Sequence, residues 1–110
     1  MGHAVRFGMH LVQILLPRWD RWGVALPPGL YREVNDELAR RFGGVTCYAR
    51  APGQGLWRDD EGRLQHDDVV VVEIMIDHLD ETWWRTYRRA LEDRFKQQEL
   101  VVRASVMMRL

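Results

Sequence analysis

Apolar positions along this chain fall into stretches of two different periods. Val69-Val70-Val71-Val72-Glu73-Ile74-Met75-Ile76 is β-branched almost throughout and predicts a buried, central strand with one carboxylate inside it. His10-Leu-Val-Gln-Ile-Leu-Leu16 predicts a first strand, ended by Pro17. Residues 18–29, rich in Trp, Arg and Pro and without a period, predict a loop. Tyr31, Val34, Leu38 and Phe42 then recur at spacings of three and four, giving the apolar stripe of a helix entered through Pro27-Pro28-Gly29. Gly43-Gly44 stops it, because glycine best supplies the left-handed residue past a helix end.

Val45 to Arg50 predicts a second strand, and Ala51 to Gly55 a glycine-rich interruption. Residues 56–68 predict a hairpin arm turning at Asp59-Asp60-Glu61-Gly62. The second helix has the fuller signature. Asp80 suits the N-cap, Leu79 and Trp84 suit a hydrophobic staple, and Trp83, Tyr87, Leu91 and Phe95 repeat every four residues. Val101 to Leu110 predicts the last strand. The order β-α-β-β-α-β is that of an α+β, ferredoxin-like domain: a four-stranded antiparallel sheet with both helices on one face. One domain over 9–110 is expected, preceded by a poorly structured leader at 1–8, with Met9 as an alternative start.

Side chains alternate along a strand, so each strand divides into a helix-facing and an open-facing set. Val12, Ile14 and Leu16, then Val70, Val72, Ile74 and Ile76, then Val102, Ala104, Val106 and Met108 are expected to face the helices. Leu11, Leu15, Val69, Val71, Met75, Val101 and Met107 are left on the other face. An apolar patch of that extent predicts a cover, and a second copy forming a homodimer sheet on sheet is the expected one. The strongly polar residues among them are Gln13, Glu73 and Arg103, on three strands that this fold makes neighbours. An Arg–carboxylate pair with an amide beside it would satisfy the half-buried charge. Such a cluster either sets register at a dimer interface or binds a ligand, with Glu73 as acid/base and Arg103 holding an anionic or carbonyl oxygen.

Composition narrows the field. The 110 residues carry 46% hydrophobic and 29% charged side chains, a folded single domain by composition. Sixteen basic and sixteen acidic residues cancel, which argues against nucleic acid as a partner, as does an open face of aliphatics without stacking aromatics. No run has the length of a membrane span, and no secretory core is present, so a cytoplasmic protein of bacterial type is expected. Cys47 is the single cysteine, which excludes an intramolecular disulfide and the multi-cysteine metal motifs.

Three segments, Phe42-Gly-Gly-Val-Thr46, Gly55-Leu-Trp57 and Arg94-Phe-Lys-Gln-Gln-Glu99, together resemble a family of small bacterial proteins of unknown function. The resemblance covers roughly residues 9–110. It implies a ferredoxin-like or dimeric α+β barrel domain and no established activity. The wider barrel group includes cofactor-free enzymes, but none of their residue signatures is matched here, so that likeness stays at the level of fold.

Other candidates weigh less. Trp19 and Trp57, with Trp22, lie in loops or the hairpin, where aromatics line a ligand pocket or cap a core; Arg18 and Arg21 stand beside them as anion donors. His66-Asp67-Asp68 and Asp77-His78-x-Asp80 lack a ligand spacing, so no metal is expected. Ala51-Pro-Gly-Gln-Gly55 lacks the lysine and hydroxyl of a phosphate loop. Alternation puts Cys47 on the core side with Val45, as a packed thiol. Arg85, Arg88 and Arg89 are diluted by acidic neighbours and read as a solvated helix face with pairs such as Arg88–Glu92 and Arg89–Asp93. The chain is therefore expected to be a self-associating domain, binding a small ligand through Gln13, Glu73, Arg103, Trp19 and Trp57. A cofactor-free small-molecule enzyme using Glu73 and Arg103 is the alternative. No cofactor is expected in either case.

Overall fold

The computed structural model describes residues 9–49, 56–58, 64–66 and 69–110, with the backbone alone for the two short segments. The elements among the described residues are β1 (Met9–Pro17), α1 (Pro28–Phe42), β2 (Thr46–Ala49), β3 (Leu56–Arg58), β4 (Leu64–His66), β5 (Val69–Ile76), α2 (Glu81–Arg94) and β6 (Val101–Met107). β2, β5, β1 and β6 form one antiparallel sheet in that order, and β3 pairs with β4 in a separate two-stranded ribbon. The two apolar runs, β5 and β1, are thus the central strands, as their β-branched sequences require. This is the ferredoxin-like α+β arrangement. The leader at 1–8, the glycine-rich segment and the hairpin turn lie outside the described residues.

Each helix begins and ends for identifiable reasons. Pro28 opens α1, where a missing amide hydrogen costs nothing, and Gly43 closes it at φ +79°, donating its N–H to the Ala39 carbonyl (2.8 Å). At α2, the Asp80 carboxylate accepts from the Trp83 N–H (3.1 Å), the expected N-cap. Its other end has no glycine: Lys96 takes the left-handed conformation instead, at φ +51°.

The core lies between the helices and one face of the sheet. Val12, Ile14 and Leu16 of β1 and Val72, Ile74 and Ile76 of β5 meet Val34 and Leu38 of α1 and Trp84, Tyr87 and Leu91 of α2. Phe95 seals the end, fully buried and edge-on to Tyr31 (centroids 5.4 Å), whose hydroxyl donates to the Pro17 carbonyl (2.5 Å). Truncating a fully buried leucine, isoleucine or phenylalanine among these, such as Leu16, Ile14 or Phe95, to alanine removes about 2–5 kcal/mol. Between the helices, Glu37 binds Arg94 through both guanidinium ends (2.5 and 2.8 Å) and accepts from the Tyr87 hydroxyl (3.0 Å). That pairing holds the Glu37 carboxyl below its ordinary range and raises Arg94, while burial raises Tyr87.

Two expectations about the core fail, both at the sheet's edges. Ala104, Val106 and Met108 were expected beneath the helices, but Val106 is 73% and Met108 79% exposed, and Ala104 is exposed as well. Only Val102 of that set packs on the core; beyond it, α2 leaves a groove of about 300 Å³ whose lining includes Trp84, Val102 and Ala104. Cys47, expected as a packed thiol, is exposed. It alternates toward the helix side, opposite Val72, but β2 is an edge strand, where alternation fixes direction without supplying cover. On the other face, Val71 is 2% exposed, so the face opposite the helices is already partly covered.

Candidate ligand site

Glu73 sits midway along β5, directly opposite Gln13 of β1 on one side and Thr46 of β2 on the other. Gln13 in turn is opposite Arg103 of β6. Directly opposed residues in antiparallel strands project to the same face, so register alone brings these four side chains together away from the helices. The three residues singled out from alternation, Gln13, Glu73 and Arg103, form one row across three strands.

Their bonding differs from the Arg–carboxylate pair anticipated. Arg103 Nε donates to Gln13 Oε1 (2.8 Å), and Gln13 Nε2 donates to Glu73 Oε2 (2.5 Å). The amide is therefore the bridge: it spends its oxygen on the cation and its nitrogen on the anion. Direct opposition explains the order, because Gln13 occupies the central strand and separates the two charges. Tyr48 completes the set, its hydroxyl donating to the same Glu73 oxygen (3.2 Å). It was not picked out from the sequence. The signal was there, since Tyr48 falls two residues beyond Thr46 on the same face, but it required knowing the β2–β5 register.

Among the described residues, Glu73 thus has two neutral donors and no cationic partner. Beside it runs a groove of about 520 Å³ whose lining includes Leu11, Phe42, Thr46, Met75 and Met107, with Gly43 and Gly44 at its rim. The size suits a ligand of drug-like dimensions, and one carboxylate in an apolar wall is the pattern of a small-molecule site. Met75 is 54% exposed and Met107 half-buried, so flexible thioethers form much of the wall that solvent reaches.

The other candidates lie elsewhere. Trp19 belongs to a third groove, of about 350 Å³, shared with Arg18, Leu26, Tyr31 and Val70 toward the far end of β1. Its loop is built: Asp20 accepts from the N–H groups of Trp22 and Val24 (2.9 Å each), Trp19 bridges to Ala25, and Gln97 Nε2 donates to the Trp19 carbonyl (2.8 Å). Trp57 is placed on β3 by its backbone, and its side chain lies outside the described residues. His66-Asp67-Asp68 falls partly outside them. Among the described residues, no group of three or more His, Cys, Asp or Glu side chains could hold a metal. No helix among them is long and apolar enough to cross a membrane. On α2, Arg88 approaches Glu92 (3.8 Å) as expected, and Arg85 approaches Glu81 (3.6 Å).

No family model matches the chain, and no curated protein matches it. Among solved structures, the chain is similar to a phage SAM lyase in complex with S-methyl-5'-thioadenosine. The TM-score is 0.60 at 15% sequence identity, covering 96% of this chain and 87% of that one. At that identity the likeness is one of fold, and it agrees with the ferredoxin-like arrangement that the strand order shows.

Proposed function

We propose that the face carrying Glu73 binds a small cationic ligand of the sulfonium nucleoside class, such as S-adenosylmethionine. The observation that carries this reading is the company Glu73 keeps among the described residues: two neutral donors hold its carboxylate, and the Arg103 guanidinium bonds to Gln13 through Nε rather than to Glu73. A carboxylate with no cationic partner among the described residues, in a groove walled by Leu11, Phe42, Met75 and Met107, favours a ligand that sets a positive charge beside apolar surface. The solved lyase of similar fold, with its bound thioadenosine, suggests the nucleoside as the rest of the ligand.

The same geometry supports a catalytic extension, the cofactor-free enzyme. Breaking a carbon–sulfur bond of a sulfonium sends the bonding pair to sulfur and leaves a neutral thioether. A carboxylate that only held the cation would stabilise reactant more than transition state and would slow the step. For Glu73 to accelerate it, its carboxylate must take the proton from the carbon adjacent to the one bonded to sulfur, so that the C–H pair becomes the carbon–carbon double bond of the departing chain while the carbon–sulfur pair goes to sulfur. Arg103, exposed beyond its bond to Gln13, is then placed to hold the ligand's own carboxylate.

Calorimetric titration with S-adenosylmethionine and with S-adenosylhomocysteine, which lacks the sulfonium charge, tests the binding reading. Tighter binding of the cation is expected, and equal affinity or no binding of either removes it. Chromatography of S-adenosylmethionine incubated with the protein tests the extension through release of S-methyl-5'-thioadenosine.

A further inference from the structure

We infer that β6 is a self-association edge, pairing antiparallel with the β6 of a second copy about a two-fold axis at Ala104. Among the described residues β6 is an outer strand of seven residues, Val-Val-Arg-Ala-Ser-Val-Met, paired on one side only, to β1. Edge strands that remain monomeric are blunted by proline, by lysine, by a bulge or by brevity. β6 has no proline, lysine or bulge, its one charge is Arg103, which bonds back to Gln13, and its pairing with β1 runs unbroken from Met9–Met107 to Leu15–Val101.

Its side chains match those of a second copy in one register. A two-fold axis normal to the sheet keeps each residue on its own face, so it must pass through a residue position. Centring it on Arg103 would set Arg103 opposite itself, which like-charge repulsion opposes. Centring it on Ala104 places the smallest side chain at the axis. It then sets Arg103 opposite the partner's Ser105, Val102 opposite the partner's Val106, and Val101 opposite the partner's Met107. Each apolar residue meets an apolar one, and the cation meets a hydroxyl.

This register also accounts for the failed core expectation. Val106, 73% exposed, gains as its neighbour the partner's Val102, the β6 residue that does pack beneath α2. The groove between α2 and β6 lies on that same face, floored by Val12, Val102 and Ala104, and the two copies' grooves become continuous across the axis. On α2, Glu81 and Arg88 flank the groove, and the two-fold sets the Glu81 end of one helix toward the Arg88 end of the other. A copy added at this edge leaves the Glu73 face open to ligand, whereas one stacked on that face would cover it.

Sedimentation equilibrium of the full chain from micromolar to hundred-micromolar concentration tests the inference without any ligand, and so independently of the proposed function. A dimer of the 13.0 kDa chain is expected. Val106→Lys, at a position open enough to leave the fold intact by circular dichroism, is expected to weaken dimerisation at least tenfold; Met75→Lys, on the open face, is expected to leave it unchanged. In a Cys47→Ser background, Ala104→Cys is expected to form a disulfide-linked dimer on oxidation, because directly opposed residues bring their Cα atoms within bonding range. A monomer throughout, a trimer, a dimer broken by Met75→Lys and not by Val106→Lys, or failure of Ala104→Cys to cross-link would overturn it.

Discussion

Gln13 donates to Glu73 (2.5 Å) from the strand next to it while accepting from Arg103 (2.8 Å) on the strand beyond. One neutral amide thereby keeps a carboxylate and a guanidinium apart that would otherwise pair. The consequence is a half-buried anion whose remaining valence faces a groove. Replacing Gln13 by Leu removes a donor from Glu73 and an acceptor from Arg103 at once. We expect a loss of about 1–3 kcal/mol in denaturant unfolding, more than for Glu73→Gln, which keeps an acceptor opposite Gln13 Nε2.

Tyr48 is 44% exposed, so its ring contributes little to the core, and its hydroxyl bond to Glu73 is the longest of the three at 3.2 Å. Tyr48→Phe should leave the melting temperature within about 2 °C of wild type, the effect of a net hydrogen bond of about 0.5 kcal/mol or less at an exposed site. If Tyr48 orients Glu73 for a ligand, affinity for S-adenosylmethionine falls by a few-fold in the same variant. Calorimetry beside differential scanning separates the two effects.

The Glu37–Arg94 pair predicts an acid-sensitive contribution to stability. Its hydrogen bonds to Arg94 lower the Glu37 carboxyl below 4.5, so the folded state favours the ionised form more than the unfolded chain does. That contribution is complete above 4.5 and is lost as pH falls through the lower, folded value. Both side chains are about three-tenths exposed, which limits the pair to about 1 kcal/mol. Melting curves of wild type and Glu37→Gln should differ by a constant few degrees at neutral pH. The gap should close on acidification below 4.5, and a gap that widened in acid would reverse the assignment.

Lys96 holds φ +51° just past α2, a conformation that costs a residue with a Cβ about 1 kcal/mol or more. The following N–H of Gln97 returns to the Glu92 carbonyl (2.9 Å), so the turn is fixed by backbone bonds and not by the lysine side chain. Lys96→Gly should therefore stabilise the protein by about 0.5–1 kcal/mol, read as a higher denaturant midpoint at unchanged slope.

The central strands were legible because their apolar runs admit no other placement: Val12, Ile14, Leu16, Val72, Ile74 and Ile76 are all buried as alternation requires. The edges were not. Alternation gives the direction of Val106 and Cys47 correctly, but burial depends on whether a helix reaches over them, which no local pattern records. The same limit applies to the site. Gln13, Glu73 and Arg103 could be grouped because the fold's strand order makes them neighbours, yet which of them bond was decided by the residue in the middle. Tyr48 escaped because it reaches Glu73 diagonally, from a short edge strand whose register comes only from pairing. The end of α2 at Lys96 carries no sequence signal, since the residue there is one that left-handed backbone disfavours.

The most direct measurement of the role given to Glu73 is the difference in affinity between S-adenosylmethionine and S-adenosylhomocysteine, measured calorimetrically in wild type and Glu73→Gln. The two ligands differ at the charged sulfur, and the two proteins differ in the one charge proposed to face it. A wild-type preference for the cation of about tenfold or more, equivalent to about 1.4 kcal/mol, that disappears in Glu73→Gln while S-adenosylhomocysteine binding stays unchanged is the predicted result. A preference that survives the substitution, or wild-type protein that binds neither ligand, would contradict it.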